Sequence, residues 1–448
     1  MAPGQSFETL ASQDEDQVRN ATWRTARECY SHTLMHEDSP ASPEPPDHTT
    51  PRLAFLVLAL CFLLMALARG MSETFTVFLL PISTEFGWDR AQTVSVYSIG
   101  ALCVGLAAPF VGRLFDHSGP RAVYAIGLIL LGAGFSVAAF ARALWQLQIC
   151  IGLAAGLGAA CLGQVTGSLL VSRWFGPRLP TALAVVSSAA GAGVLLLVPL
   201  AQVLVDHAGW RGAYHILGGV MLAGVVPLLL LPWRRITAGG GHVARLARPQ
   251  AADDTWTLGS ALRHHAFWSL FSIFFFTSLG MFSISVQVVT YLVEVGFPPL
   301  QAAAAWGFSG VLLLVGMLTV SWLDGLLGRR RAILLSYSIT VAGILMLWSL
   351  TRHPSIWLLG GFLVCFGSTM GSRGPLVAAS AMSLFRGKRV GTIMGAVSIG
   401  QGIGSALGSW TGGLIHDWSQ SYDLVFAFAL VSVVLGMTPF LVAPALRQ

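Results

Sequence analysis

The sequence predicts an all-α membrane protein of twelve transmembrane helices arranged as two pseudo-symmetric six-helix halves, and three observations carry that prediction. The first is composition: of 448 residues 54% are hydrophobic and 10% charged, with a mean hydropathy of +0.70, whereas a soluble domain carries about 25% charged residues. The second is twelve apolar stretches between Leu53 and Ala445, each of about the 20 residues a crossing needs. In lipid each must be a helix, because only a helix satisfies its own backbone hydrogen bonds, and apolar blocks do not fit the alternation of a barrel. The third is the placement of the 26 Lys and Arg residues: with the N-terminus inside, 17 fall in inner loops and four in outer loops, which predicts that both termini are cytoplasmic.

In chain order, residues 1–51 hold nine acidic residues against three Arg, and five prolines between Ser39 and Pro51. Such a segment buries too little apolar surface to offset its ordering entropy, so a disordered cytoplasmic tail is expected. It lacks the apolar core of a secretory signal, and a cytoplasmic location leaves the sequon at Asn20 idle. The first half, 52–233, contains spans at 53–82, 91–113, 121–141, 145–172, 180–205 and 212–233. In the fifth, Gly191, Gly193 and Pro199 predict close packing and a bend. Residues 234–265 form a polar connection with three glycines at 239–241, read as a cytoplasmic linker. The second half, 266–448, contains spans at 266–293, 301–323, 332–350, 355–384, 390–415 and 422–444. Gly400, Gly402, Gly404 and Gly408 look like a nucleotide loop, but Gly400, Gly404, Gly408 and Gly412 recur every fourth residue inside a span, which predicts a smooth helix face for close packing.

The cationic balance of +6 is a topology signal with a minor role at anionic lipid head groups, and nucleic acid is not an expected partner. The six cysteines form no CxxC pair and five lie in spans as small hydrophobes. With no catalytic triad, metal cluster or phosphate loop, no cofactor and no enzymatic activity are expected. The location expected is the plasma (inner) membrane, with a single chain sufficient for function.

Asp116, Gly119, Pro120 and Arg121 follow the second span, and Asp324, Gly328, Arg329, Arg330 and Arg331 follow the eighth, about 208 residues later. This is an internal repeat of two parallel halves. The stretch GRLFDHSGPR at 112–121 resembles the loop motif of the major facilitator superfamily. FLLPISTEFGWDRA at 78–91, SRWFGPRLPTALAVVSSAAGAG at 172–193, GWRGAY at 209–214 and GGLIHDWSQSYDLVFAF at 412–428 resemble its bacterial branch related to monocarboxylate transporters and oxalate:formate antiporters. The resemblance implies a major facilitator fold in which spans 1, 4, 7 and 10 line a central cavity, and a gating role for Asp116, Gly119, Arg121, Asp324, Gly328 and Arg329 at the inner face. It also exposes a departure. Animal monocarboxylate transporters carry an Asp and Arg pair in span 8, and oxalate antiporters an Arg there and a Lys in span 11; this chain has neither.

Its embedded charges lie elsewhere: Arg69 and Glu73 in span 1 and Arg373 in span 10. A charge in a bilayer costs about 2.5–3.5 kcal/mol on insertion scales, so it faces protein or a wet path and marks function. At 1.5 Å per residue, Arg69 lies about 24 Å from the inner start of its span and Arg373 about 16 Å from the inner end of its own, both near the midplane. Two guanidiniums there suit a carboxylate, which they bind bidentately. Each has a plainer reading too: Arg69 paired with Glu73 one turn on and wet at the outer mouth, Arg373 paired with another helix's carbonyls. Glu73 either carries a coupling proton or neutralises Arg69. Gln164, Gln287 and Tyr291 are weaker candidates for substrate contact, with interhelical bonding as the alternative.

The function expected is secondary active transport of a small organic anion by alternating access, driven by proton symport or anion exchange. The anion is a monocarboxylate, or a dicarboxylate if both arginines engage; protons and the bilayer are the other partners. Two other readings are a proton-coupled exporter of drugs or cations, which would usually leave an acid unpaired in a cavity helix, and a non-transporting sensor whose output is the tail.

Overall fold

The computed structural model describes residues 49–175, 179–238, 258–371, 373, 384–385 and 390–442. Most of the expected tail and residues 239–257 of the expected linker lie outside the described residues. Leu53–Gln448 form one compact unit, which holds every site discussed below. Among the described residues every regular element is a helix, and eight helices are long and apolar enough to cross a membrane. Two of these, Arg90–Ala138 and Thr181–Leu230, run to 49 and 50 residues, about twice what one crossing needs. Each breaks at a glycine, Gly119 (φ 75°, ψ 169°) and Gly209 (φ 67°, ψ 171°), in a conformation that residues with a Cβ avoid. Gly328 takes the same conformation (φ 79°, ψ 152°), so the two loops of the sequence repeat share their backbone turn.

The first helix, Thr49–Glu73, gives way at Thr74 to Phe75–Phe86. Thr74 Oγ1 donates to Met71 O at 2.7 Å and Thr76 Oγ1 to Glu73 O at 2.8 Å. Hydroxyls thus occupy carbonyls that the break would leave without partners in an apolar medium. Further on, π-helical turns widen the chain at Gln148–Ala155 and Leu363–Gly367.

Helices in lipid gain little from excluding water between them, so close contact has to hold them. The glycine face read from the sequence makes that contact. A Cβ on Gly400, Gly404, Gly408 or Gly412 would lie 2.9, 2.4, 2.2 or 2.5 Å from the carbonyl oxygens of Phe271, Phe275, Leu279 and Ser283. The Val390–Ser419 helix therefore lies along His265–Ser285 in matched four-residue steps. Two further pairs bring distant helices together at their backbones: Gly105 against Gly402, and Gly191 against Gly310. Buried apolar side chains form two clusters, one drawn mainly from residues 57–236 and the other mainly from 261–440. Leu230, Phe55 and Leu196 are among many exposed apolar side chains along the helices, the surface that lipid contact requires.

Candidate functional site

A cavity of about 440 Å³ lies between the Arg90–Ala138 and Val390–Ser419 helices. Its wall includes Tyr97 and Ala108 on the first and Gly395 and Ser405 on the second, so it runs about 15 Å along each at 1.5 Å per residue. Aromatic and small apolar side chains dominate it, with Phe75, Tyr97, Phe135 and Phe282 toward one end and glycines where the helices cross.

Arg69 is the cation on this wall. Its Nη2 lies 2.7 Å from Glu73 Oε1, one turn along, with the arginine side chain 32% exposed and the glutamate 2%. Tyr97 OH donates to the same carboxylate at 3.4 Å, and the Phe282 ring lies 5.9 Å from Arg69 Cζ. The expected pairing is present, but Glu73 is buried, with Arg69 and Tyr97 on its carboxylate, rather than wet at a mouth. Gln164 also borders the cavity and donates to Ser187 Oγ at 3.2 Å. Gln287 and Tyr291 are placed apart from it. They flank a cleft of about 10 Å³, with Tyr291 OH donating to Leu347 O at 2.8 Å and Gln287 Nε2 to Ser283 O at 3.3 Å. That space is too small for a substrate; the Tyr291 bond reaches another helix, while Gln287 bonds back to its own span.

Arg373 does not share the Arg69 cavity. It is buried and borders a smaller one of about 80 Å³ with Thr277, Ser278, Met281 and Thr369. Phe282 and Gln401 line both spaces. Arg373 Nε donates to Ser336 Oγ at 3.2 Å, Nη2 to Ser336 O at 2.9 Å and to Thr340 Oγ1, and Cζ stands 4.0 Å from the Tyr337 ring centroid. Nη1 meets only Met281 Sδ, at 3.8 Å. All these partners are neutral, and no described carboxylate pairs with it. A buried cation without a counter-charge is costly, by several kcal/mol, and an incoming anion removes that cost. The two arginines therefore differ in kind: Arg69 is already neutralised, Arg373 is not.

At the Arg90 end of the bundle polar contacts join residues from both parts of the chain. Asp417 accepts the backbone N–H of Arg90 at 3.0 Å and of Ala91 at 2.7 Å, capping the helix with a carboxylate where its dipole favours one. The Arg90 guanidinium donates to Tyr422 OH at 2.5 Å and pairs with Glu294. Beside this cluster Glu85 accepts from Arg211 at 2.7 Å and from Trp210 Nε1, and Arg211 also donates to Ala139 O and Ala141 O, each at 2.9 Å. At the Gly119 end, Asp116 is exposed and bonds to no described residue, while Arg121 Nη2 donates to Leu229 O at 3.4 Å. The side chains of Asp324 and Arg329 lie outside the described residues.

Sequence reading did not single out Tyr97, Phe282, Gln401 or the Arg90 cluster. Gln401 had a detectable signal, being an amide inside an apolar span. Arg90 and Asp417 sit at helix ends and look like ordinary loop charges.

Comparison with known proteins adds the family. The model described as "Major Facilitator Superfamily" matches residues 58–409 and 311–447. The chain is similar to "Uncharacterized MFS-type transporter YcxA" of Bacillus subtilis (strain 168), 27% identical over 401 residues, covering 88% of this chain and 97% of that one. It is also similar to "Monocarboxylate transporter 4" of Mus musculus, 28% identical over 383 residues, 84% of this chain and 80% of the relative. "Monocarboxylate transporter 13" of Bos taurus is 26% identical over 409 residues, 90% of this chain and 91% of the relative.

Proposed function

The chain belongs to the major facilitator superfamily of transporters, and on that premise we propose that it moves a small organic anion, a monocarboxylate, by alternating access. The observation that carries the substrate class is Arg373, a buried cation whose described partners are all neutral and which lines a cavity sharing Phe282 and Gln401 with the larger one. The names of the monocarboxylate transporter relatives agree with it. Arg69 and Gln164 line the larger cavity, through which that anion passes on its way to Arg373. No bound nucleotide enters the scheme; a proton gradient or exchange for a second anion drives it.

In this reading twelve crossings form two halves, 52–233 and 266–448, joined by the linker 234–265, with both ends of the chain, including the tail 1–51, in the cytoplasm of an inner-membrane protein that acts as a single chain. The two apolar clusters and the shared turn at Gly119 and Gly328 support it. The Arg90 end is then outside, and the structure is that of the state closed to the exterior. The Asp116 and Asp324 loops latch the inner face in the opposite state.

Arg90 and its partners are the outer latch. Arg90→Ala is expected to shift the population toward the outward-open state, read as faster labelling of a Ser72→Cys reporter by an impermeant maleimide added outside, in a cysteine-free background. Unchanged labelling would remove Arg90 from the latch.

Glu73 is taken as the neutralising partner of Arg69. Glu73→Gln leaves that guanidinium unpaired, so the purified protein should melt at a lower temperature, while the pH dependence of transport persists. Loss of that pH dependence would make Glu73 the proton carrier instead.

Proteoliposomes test the whole reading. Saturable uptake of a labelled short monocarboxylate that requires an inward proton gradient or an internal anion supports it; transport of organic cations with no carboxylate flux overturns it.

A further inference from the structure

Two cations border two cavities, and the same two side chains, Phe282 and Gln401, stand in the wall of both. Phe282 is 9% exposed, its ring wedged between Tyr97, with centroids 6.3 Å apart, and Arg69, 5.9 Å away. Gln401 is exposed on the facing helix and makes no hydrogen bond with a described residue, so its amide is available to whatever enters. We infer that Phe282 and Gln401 form a partition between the Arg69 and Arg373 sites, and that this partition restricts the transporter to acids with one carboxylate.

The inference rests on the transport reading above and adds the basis of selectivity. A carboxylate at Arg373 gives Nη1 a far stronger acceptor than its one sulfur contact at Met281, and the remainder of a monocarboxylic acid lies against Phe282 and Met281, an apolar surface. A second carboxylate on the same molecule would be held against the Phe282 ring, cut off from Arg69. An ionised group desolvated without a partner is strongly disfavoured, so a dicarboxylate is rejected although two arginines are nearby. The capacity to hold a second carboxylate exists: Glu73 engages Nη2 of Arg69, and no described residue accepts from its Nε or Nη1. What is missing is a path past the ring. Gln401, with one donor group and one acceptor in its amide, bonds the polar end of the acid at the partition.

Proteoliposome counterflow with labelled propionate, butyrate, malonate and succinate tests this in the wild type, Phe282→Ala and Phe282→Leu. The expected result is a wild type that exchanges a monocarboxylate and discriminates against both dicarboxylates, with the dicarboxylate-to-monocarboxylate ratio rising about tenfold or more in the variants, the size of one charge-assisted hydrogen bond. A second readout does not need flux: succinate should raise the melting temperature of the purified Phe282→Leu protein and not that of the wild type. A ratio unchanged in variants that still exchange a monocarboxylate, with no succinate stabilisation, would overturn the partition and leave the transport reading standing. A wild type that exchanges succinate as fast as butyrate would do the same. A wild type that exchanges no carboxylate would overturn the transport reading, and the partition with it.

Discussion

Arg373→Gln is expected to lower carboxylate transport by about ten- to a hundredfold, the loss that follows from removing hydrogen bonds between an ionised donor and a carboxylate. Glutamine keeps a polar group within reach of Ser336 but removes the charge and the fork. Arg373→Lys keeps the charge without the fork and should fall between the two, because an ammonium cannot hold a carboxylate bidentately. Stability separates this from a structural role. In the unliganded protein the Arg373 charge is buried with no carboxylate among the described residues, so replacing it relieves a desolvation cost. The melting temperature of Arg373→Gln should therefore hold or rise while transport falls. A variant that loses both together would show that Arg373 holds the fold and binds no anion.

The second large effect is structural. Gly404→Val and Gly408→Val are expected to yield no folded protein, seen as aggregated material on size exclusion in detergent. The new Cβ would stand 2.4 Å from Phe275 O in one and 2.2 Å from Leu279 O in the other. The obstacle is helical backbone, which cannot swing aside as a side-chain tip can, so the two helices must separate. Overpacking of this kind typically costs about 1–3 kcal/mol or more, and here it disrupts a contact that packing alone sustains in lipid. Gly219→Ala is the control, since nothing stands within 4 Å of its Cβ position and the variant should behave as wild type.

That glycine face was fully legible in the sequence, because a four-residue period in small residues has one mechanical meaning in a helix. The all-helical architecture was legible too, since hydropathy and the backbone's need for partners leave a bilayer segment little choice. The repeat at Gly119 and Gly328 was visible as residues before it was visible as matching dihedrals. The site was legible only in part. Charge in an apolar span marked Arg69, Glu73 and Arg373, and spacing anticipated the Arg69 to Glu73 pair, which forms at 2.7 Å. Spacing along single helices could not show that the two arginines face separate cavities, because that depends on how helices rotate against one another. For the same reason spacing could not show that Gln287 and Tyr291 sit away from the cavity, Tyr291 bonding to a neighbouring helix and Gln287 to its own. The partners of Arg90 lie some 200 and 330 residues away in sequence, at Glu294 and Asp417; no local pattern announces such a contact. The motifs carry a trace of it, since Glu85, Arg90, Arg211, Asp417 and Tyr422 all fall inside the stretches that resemble the family, Glu85 pairing with Arg211 and Arg90 meeting Asp417 and Tyr422.

The central claim is that an unneutralised arginine selects a carboxylate, and a melting-temperature panel on the purified protein tests it most directly. Short monocarboxylates, their amides and organic cations are added to wild type and to Arg373→Gln, because a ligand that binds only the folded state raises its melting temperature. The predicted result is stabilisation of the wild type by at least one carboxylate, none by the matching amide, and loss of the effect in Arg373→Gln. Stabilisation by organic cations alone, or by carboxylate and amide equally, would contradict it.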